Sequence, residues 1–258
     1  MKTLELIFSL FAVSSALASA AVSAPFSTNF DDASVGTGAP PNFTEPTNPT
    51  LSSIIEPGGD GNRKYQMAVD NTSTVGIAEI TGLSTAPGQG FSVTTQFTIS
   101  SVSGQYASTG LVFLSNSTFG TNYRVVYNVG TSGNGLLQFA QGTVTYDSTV
   151  NGTLAGSPDP LAGVFTLTLT GIYNATGAID LTATISNSLS ANTATATAVT
   201  TTTPSTNSYF GFRTAATGTG GPAVTAVFEN FSVSQIPEPT TASLAAIAAL
   251  GLLRRKRH

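Results

Sequence analysis

Phe91-Ser-Val-Thr-Thr-Gln-Phe-Thr-Ile99 is the stretch that decides the fold. Phe91, Val93, Phe97 and Ile99 face one way, and Ser92, Thr94, Gln96 and Thr98 face the other. A period of two puts one face against a core and the other in water, the pattern of a strand in an antiparallel sheet. Shorter runs of the same kind lie at Leu111 to Leu114, Tyr123 to Val129, Leu136 to Phe139, Phe165 to Leu169, Ile179 to Ile185, Tyr209 to Phe212 and Val224 to Val233. Turn clusters such as Pro57-Gly-Gly-Asp-Gly-Asn62 and Gly130-Thr-Ser-Gly-Asn-Gly135 separate them, because Gly, Asn and Asp take up the backbone conformations that tight turns need. The Ala/Thr-rich run Ala191 to Thr203 reads either as a linker or, from the alternation Ala194-Thr-Ala-Thr-Ala-Val199, as a half-buried strand; the strand is the favoured reading. No segment between Phe26 and Val233 has a helical period, so crossover helices for parallel βαβ units are missing. The expected class is all-β, an antiparallel two-sheet jelly-roll sandwich.

Composition points the same way. The chain has 258 residues, 40% of them hydrophobic and only 9% charged, enough for one sizeable core with Ser, Thr, Asn and Gly at the polar positions. It has no Cys and no Trp, and its one His is the last residue, His258. Disulfide staples are excluded, and so are thiolate or imidazole metal centres in the body. From Ala21 to Ile236 there are 11 acidic and 4 basic side chains, a net −7, which argues against nucleic acid as a partner.

The two ends read as addresses. Lys2 precedes the apolar run Leu6 to Leu17, and Ala18-Ser19-Ala20 offers small residues to a signal peptidase. Residues 1–20 are therefore expected to be a signal peptide cleaved after Ala20. At the other end stand Ile236-Pro237-Glu238-Pro239, a nearly uncharged stretch from Thr240 to Leu253, and Arg254-Arg255-Lys256-Arg257. Two prolines around one Glu cannot continue a strand and form a stiff extended neck. The apolar stretch makes about 21 Å of helix against about 30 Å of hydrocarbon, and snorkelling Arg and Lys side chains extend its reach. The basic end orients it with the body on the outer face of the membrane.

This three-part arrangement resembles the PEP-CTERM sorting signal of Gram-negative bacteria, with IPEP as the Pro-Glu-Pro box, TASLAAIAALGLL as the hydrophobic helix and RRKR as the basic end. The resemblance covers Ile236 to Arg257. It implies processing by a membrane exosortase and an association with extracellular polysaccharide. The domain division that follows is 1–20 signal peptide, 21–235 β-sandwich and 236–258 sorting signal with a short transmembrane helix. The body in turn resembles concanavalin A-like and laminin G-like jelly rolls. The features that carry this are an early strand ending in Asn29-Phe30-Asp31, the long strand at Phe91, GLVF from Gly110, SYFGFRT (Ser208 to Thr214) and VFENFSV (Val227 to Val233).

The body offers little visible chemistry. Jelly-roll glycoside hydrolases place two carboxylates across a cleft, and no Glu-x-Asp or Glu-x-Glu pair stands in the strands above. A Ser nucleophile would have no body His to activate it. The sequence therefore predicts a chain that is not an enzyme. Asp31, Asp32 and Asp60 are weak candidate ligands for Ca²⁺, as laminin G-like domains carry, although turn conformation explains them more simply. No other cofactor is expected. Tyr65, Tyr106, Tyr123, Tyr127, Tyr146, Tyr173 and Tyr209 are the remaining candidate sugar platforms, with Tyr123 and Tyr127 on one strand face. Six Asn-x-Ser/Thr sequons, at Asn42, Asn71, Asn116, Asn151, Asn174 and Asn230, read as accidents of a Ser/Thr/Asn-rich composition. The leading expectation is an exported structural or adhesive protein of the cell surface or exopolysaccharide matrix, held first at the outer face of the inner membrane and processed near Pro237-Glu238-Pro239. The alternative is a lectin-like carbohydrate-binding module, with calcium as an optional partner.

Overall fold

The computed structural model describes residues 25–47, 52–69, 75–83, 90–104, 106–115, 123–129, 135–141, 144–145, 154, 161–200, 208–217 and 223–236. The expected signal peptide with Ala18 and Ala20, the Pro237-Glu238-Pro239 box, the apolar stretch and Arg254 to Arg257 lie outside them. Among the described residues, sixteen strands, numbered in chain order, form two sheets, and every pairing is antiparallel. The first sheet runs β14 (Thr193–Val199), β13 (Ile179–Asn187), β12 (Phe165–Tyr173), β7 (Gly90–Ser103), β16 (Ala223–Ile236), β5 (Lys64–Val69), β4 (Ser52–Ile55), β2 (Gly36–Thr37), with β1 (Phe26–Thr28) also on β16. The second runs β11 (Val144–Thr145), β10 (Leu136–Gln141), β9 (Tyr123–Asn128), β8 (Tyr106–Ser115), β15 (Ser208–Thr217), β6 (Val75–Leu83), β3 (Phe43–Thr47). The all-β, two-sheet expectation is met, and every alternating run named above overlaps a strand.

The strand that opened the reading, β7, carries Phe91, Val93, Phe97 and Ile99 at 0–1% exposure, so its alternation is the alternation of core and solvent. The Ala/Thr run is strand β14, with Ala194 and Ala196 buried and Thr193, Thr195 and Thr197 exposed. Among the described residues Ile236 is the last paired one, opposite Gly90. Pro237 follows it, and a proline has no N–H to continue a ladder.

Aromatic rings fill the space between the sheets. Phe212 on β15 meets Phe228 at 4.2 Å, Phe231 at 4.9 Å, Phe43 at 5.4 Å, Tyr65 at 5.7 Å and Phe30 at 6.1 Å between ring centroids. Stacked, tilted and edge-on rings at these separations add to the apolar area they bury. One polar cluster is embedded here: Glu45 accepts hydrogen bonds from the Tyr65 hydroxyl, at 2.5 Å, and from Ser52 Oγ. Burial first, and then the Glu45 carboxylate, push the Tyr65 hydroxyl well above its usual pKa.

The two outward faces differ. On the first sheet, Thr195, Thr184, Thr168, Thr94 and Ser232 form one row in register across β14, β13, β12, β7 and β16, and Thr197, Thr182, Thr170, Ser92 and Ser234 form the next. These two rows are uncharged hydroxyl, with Asp180 at the start of β13 and the Lys64–Glu229 pair beyond them on the same sheet. The outward face of the second sheet carries Arg124, Arg213 and Glu79.

Candidate functional site on the outward face of the second sheet

Register defines this face. Ala140, Arg124, Val112, Gly211 and Glu79 form one row across β10, β9, β8, β15 and β6; Gln138, Val126, Gly110, Arg213 and Ile77 form the next; Leu136, Asn128, Ser108 and Ala215 form a third. All point away from the aromatic core, since Phe210, Phe212, Leu111, Phe113, Tyr123, Val125, Tyr127 and Phe139 occupy the intervening inward positions. Yet Ile77, Val112, Val126, Ala140 and Ala215 are buried without belonging to the inter-sheet core. Val112 and Glu79 are at 0% exposure. An outward sheet face normally stays wet. This one is shielded, and shielding strengthens any polar recognition made there.

Glycine shapes the floor. A Cβ on Gly211 would fall 1.9 Å from the Ala78 carbonyl oxygen and 2.7 Å from Glu79 Cα, and one on Gly110 would fall 2.1 Å from the Val125 carbonyl oxygen. The neighbouring backbones approach too closely there for any side chain. The register also shifts between Tyr209 and Gly211, an irregularity of the kind that re-aims side chains at sheet rims and sites. Tyr209, Gly211 and Arg213 thus line the outward edge of β15, with Tyr209 half-buried.

Around this floor stand two cations and a pair of amides. Arg213 donates from Nη1 to Ser108 Oγ at a long 3.5 Å. Burial, and after it the charge of Arg124, pull the Arg213 pKa down to about 9, and burial also lowers that of Arg124. Both guanidinia remain charged at neutral pH but are poorly hydrated. Asn128 Nδ2 donates to Gln138 Oε1 at 2.7 Å, which holds two amides side by side on the same face.

Of the residues singled out in the sequence, Tyr209 lies on this face; the others lie elsewhere, point inward or have no described side chain. Tyr123 and Tyr127 do share a face, but it is the core face, at 3% and 0% exposure, so neither is a platform; Tyr65 is buried as well. Side-chain parity is local, whereas the choice of inward face belongs to the tertiary fold. Tyr106 and Tyr146 have no described side chains. Asp31 and Asp60 sit in loops near Arg63. Asp31 Oδ1 accepts Arg63 N–H at 2.9 Å, and Arg63 Nη1 donates to the carbonyls of Asp31 and Ala33 while its Nε lies 3.3 Å from Glu56. The guanidinium therefore takes up carbonyl and carboxylate oxygens of the kind a hard cation would use. Asp60 Oδ1 caps its own turn through Asn62 N–H at 3.0 Å, and Asp32 is exposed. Among the described residues no group of three or more His, Cys, Asp or Glu is placed to hold a metal ion.

No family model matches the chain, and no curated protein does. Solved structures do. Lectin I-B4 from Griffonia simplicifolia in its metal-free form is 12% identical, with 82% of this chain and 100% of the lectin covered at a TM-score of 0.51. The PL-14 alginate lyase from Aplysia kurodai is 10% identical over 78% of this chain and 97% of its own, at 0.54. A xylan β-1,4-xylosidase from Bacillus halodurans is longer; this chain covers 39% of it, at 16% identity and 0.49. At these identities the likeness is one of fold: the sandwich is of the jelly-roll kind found in lectins and carbohydrate-active proteins. It also corrects the expectation that the chain is not an enzyme, because the same fold carries catalysis in the alginate lyase. The physical flaw in that expectation is that a missing His removes only His-dependent schemes, while Tyr and carboxylate side chains also transfer protons.

Proposed function

We propose that this chain is a carbohydrate-binding β-sandwich protein of the cell exterior, and that the glycan lies along β15 over Gly211, on the outward face of the second sheet. The observation that carries this reading is the convergence on one shielded face of a glycine floor, the half-buried Tyr209, the Asn128–Gln138 amide pair and two arginines. Sugars are held by such sets: a ring face stacks on an aromatic, and planar amides and guanidinia bond the hydroxyls. The fold is one that a lectin and an alginate lyase also have, which supports the reading without naming a glycan. The outward face of the first sheet is a weaker candidate: its groove beside Thr94 and Ser232 has an amide pair of the same kind, Gln96 and Asn230 at 2.7 Å, but no cation lines it.

The sorting signal at residues 236–258 belongs to the same proposal: export, handling by an exosortase at the membrane, and retention at the surface or in exopolysaccharide. Binding of the full-length chain to a glycan array, followed by calorimetry on the hits, tests the first part. Tyr209→Ala should weaken binding by about tenfold, the loss of one stacking contact; an unchanged affinity moves the site off this face. For the second part, Pro237, Glu238 and Pro239 are replaced together by Ala and the C-terminus is read by mass spectrometry in the native host. Processing lost in the variant is the expected result, and an intact tail in both forms removes the exosortase.

A further inference from the structure

The outer edge of a sheet leaves backbone N–H and C=O groups without a strand to receive them, and proteins blunt such edges with short strands, proline, charge or irregular pairing. Among the described residues the two sheets end on β2, β14, β11 and β3. Three of these are blunted. β2 and β11 have two residues each, and β3 contains Glu45 and Pro46 and shifts its register against β6. The fourth, β14, runs for seven residues as Thr193-Ala-Thr-Ala-Thr-Ala-Val199, with no charge, no proline and an unbroken register against β13.

The ladder shows which groups this edge leaves open. Thr200 N–H donates to the Ile179 carbonyl at 2.9 Å, and the register continues with Leu181 opposite Ala198, Ala183 opposite Ala196 and Ile185 opposite Ala194. Bonded and non-bonded pairs alternate along an antiparallel ladder, so Ala194, Ala196 and Ala198 turn their N–H and C=O toward β13. The other side of β13 has the matching parity: Asn174 N–H donates to the Ala178 carbonyl at 2.8 Å, which leaves Asp180, Thr182 and Thr184 to bond β12. Thr193, Thr195, Thr197 and Val199 therefore aim their backbone groups away from the sheet, and among the described residues no strand pairs with them. The Val199 side chain, at the end of this edge, is 52% exposed.

We propose that a second copy of this chain takes up this edge: two β14 strands pair antiparallel about a two-fold axis at Ala196 and join the first sheets of two protomers into one. The strand is its own complement. Thr195 of one protomer stands opposite Thr197 of its partner, and Thr193 opposite Val199, each a pair that exchanges two main-chain hydrogen bonds. Ala196 meets Ala196 on the axis, at a non-bonded pair where the chains come closest and a methyl group is small enough to fit. Threonine faces threonine on the outward side, and β14 has no charged side chain to repel its mate. Pairing of identical strands about a two-fold axis closes at two copies and does not grow into a fibre. The axis stands perpendicular to the sheet, so both protomers turn the outward face of their second sheets to the same side. The inference does not depend on what that face binds.

The test is sedimentation velocity of the full-length protein in detergent over a range of concentrations, with amide hydrogen exchange read residue by residue by nuclear magnetic resonance. Thr195→Pro removes one outward N–H and spares the ladder with β13. Thr195→Lys brings like charges of the two protomers within about 7–8 Å of each other across the axis. Circular dichroism checks that each variant folds, and the lysine variant keeps the test open where the proline one does not. The unaltered protein should sediment as a dimer that dissociates on dilution. The amides of Thr195, Thr197 and Val199 should exchange more slowly as concentration rises, whereas those of Ala194 and Ala196 are protected at every concentration. Each variant should raise the dissociation constant at least about tenfold. A protein that stays monomeric at every concentration overturns the inference. So does a dimer that both variants leave intact, or one in which the outward amides of β14 exchange at the same rate at every concentration.

Discussion

Replacing Phe212 by Ala should cost about 4–5 kcal/mol. The ring is fully buried and has five aromatic neighbours with centroids between 4.2 and 6.1 Å. Phe-to-Ala changes in cores cost about 3–5 kcal/mol, from lost transfer energy and the cavity left behind. The neighbours are drawn from both sheets and from the turn after β1, so the walls cannot collapse inward without moving whole strands, which places the loss at the upper end. Aromatic pairs add about 0.5–1.5 kcal/mol each, but five pairs sharing one ring do not add up independently. For a domain of this size each kcal/mol lowers Tm by about 2–4 °C, so the expected drop is about 10–20 °C. Urea unfolding followed by far-UV circular dichroism and tyrosine fluorescence reads this directly, the chain having no Trp. The midpoint should move with an unchanged slope. A drop under about 5 °C would show that Phe212 is not the hub of a close-packed core. Phe212→Leu, which keeps most of the volume, should lie well above the Ala variant.

Two further outcomes follow from the same geometry. Tyr65 has a folded pKa above its unfolded value of 10.0, so the stability it contributes is complete below pH 10 and is lost as pH rises toward the folded value, at up to about 1.4 kcal/mol per unit; Tyr65→Phe should flatten the stability profile between pH 10 and 11, and parallel profiles for the two proteins would refute the Glu45–Tyr65 arrangement. Gly211→Ala puts a Cβ 1.9 Å from the Ala78 carbonyl oxygen, which forces β15 away from β6 at a cost of about 1–3 kcal/mol; chemical denaturation should show that loss together with weaker glycan binding, and a variant as stable as the parent would mean that the two strands are not so close.

How much was legible can be judged strand by strand. β7, β12, β13 and β16 stood out because long alternating runs with Phe, Val, Ile and Thr have one reading. The segment from Phe43 to Leu83 did not. β3 contains Pro46 and a shift in register, acceptable because it is an edge strand. β6 carries Glu79 at its centre, a residue that strand propensities disfavour.

The sequence by itself determined that the body is all-β and which residues alternate on each clear strand, because these are properties of neighbours along the chain; that its ends act in export and sorting is part of the proposal above. It did not determine which outward face is shielded, nor that Arg124, Arg213, Tyr209 and Glu79 share it. Those residues sit on β9, β15 and β6, up to 134 positions apart in the sequence, and are brought together by the antiparallel registers with β8 and β15. Registers are chosen by the packing of both sheets at once. A lone arginine in a strand signals only that something on the far side of the fold accounts for it, and the tertiary structure alone decides what that is.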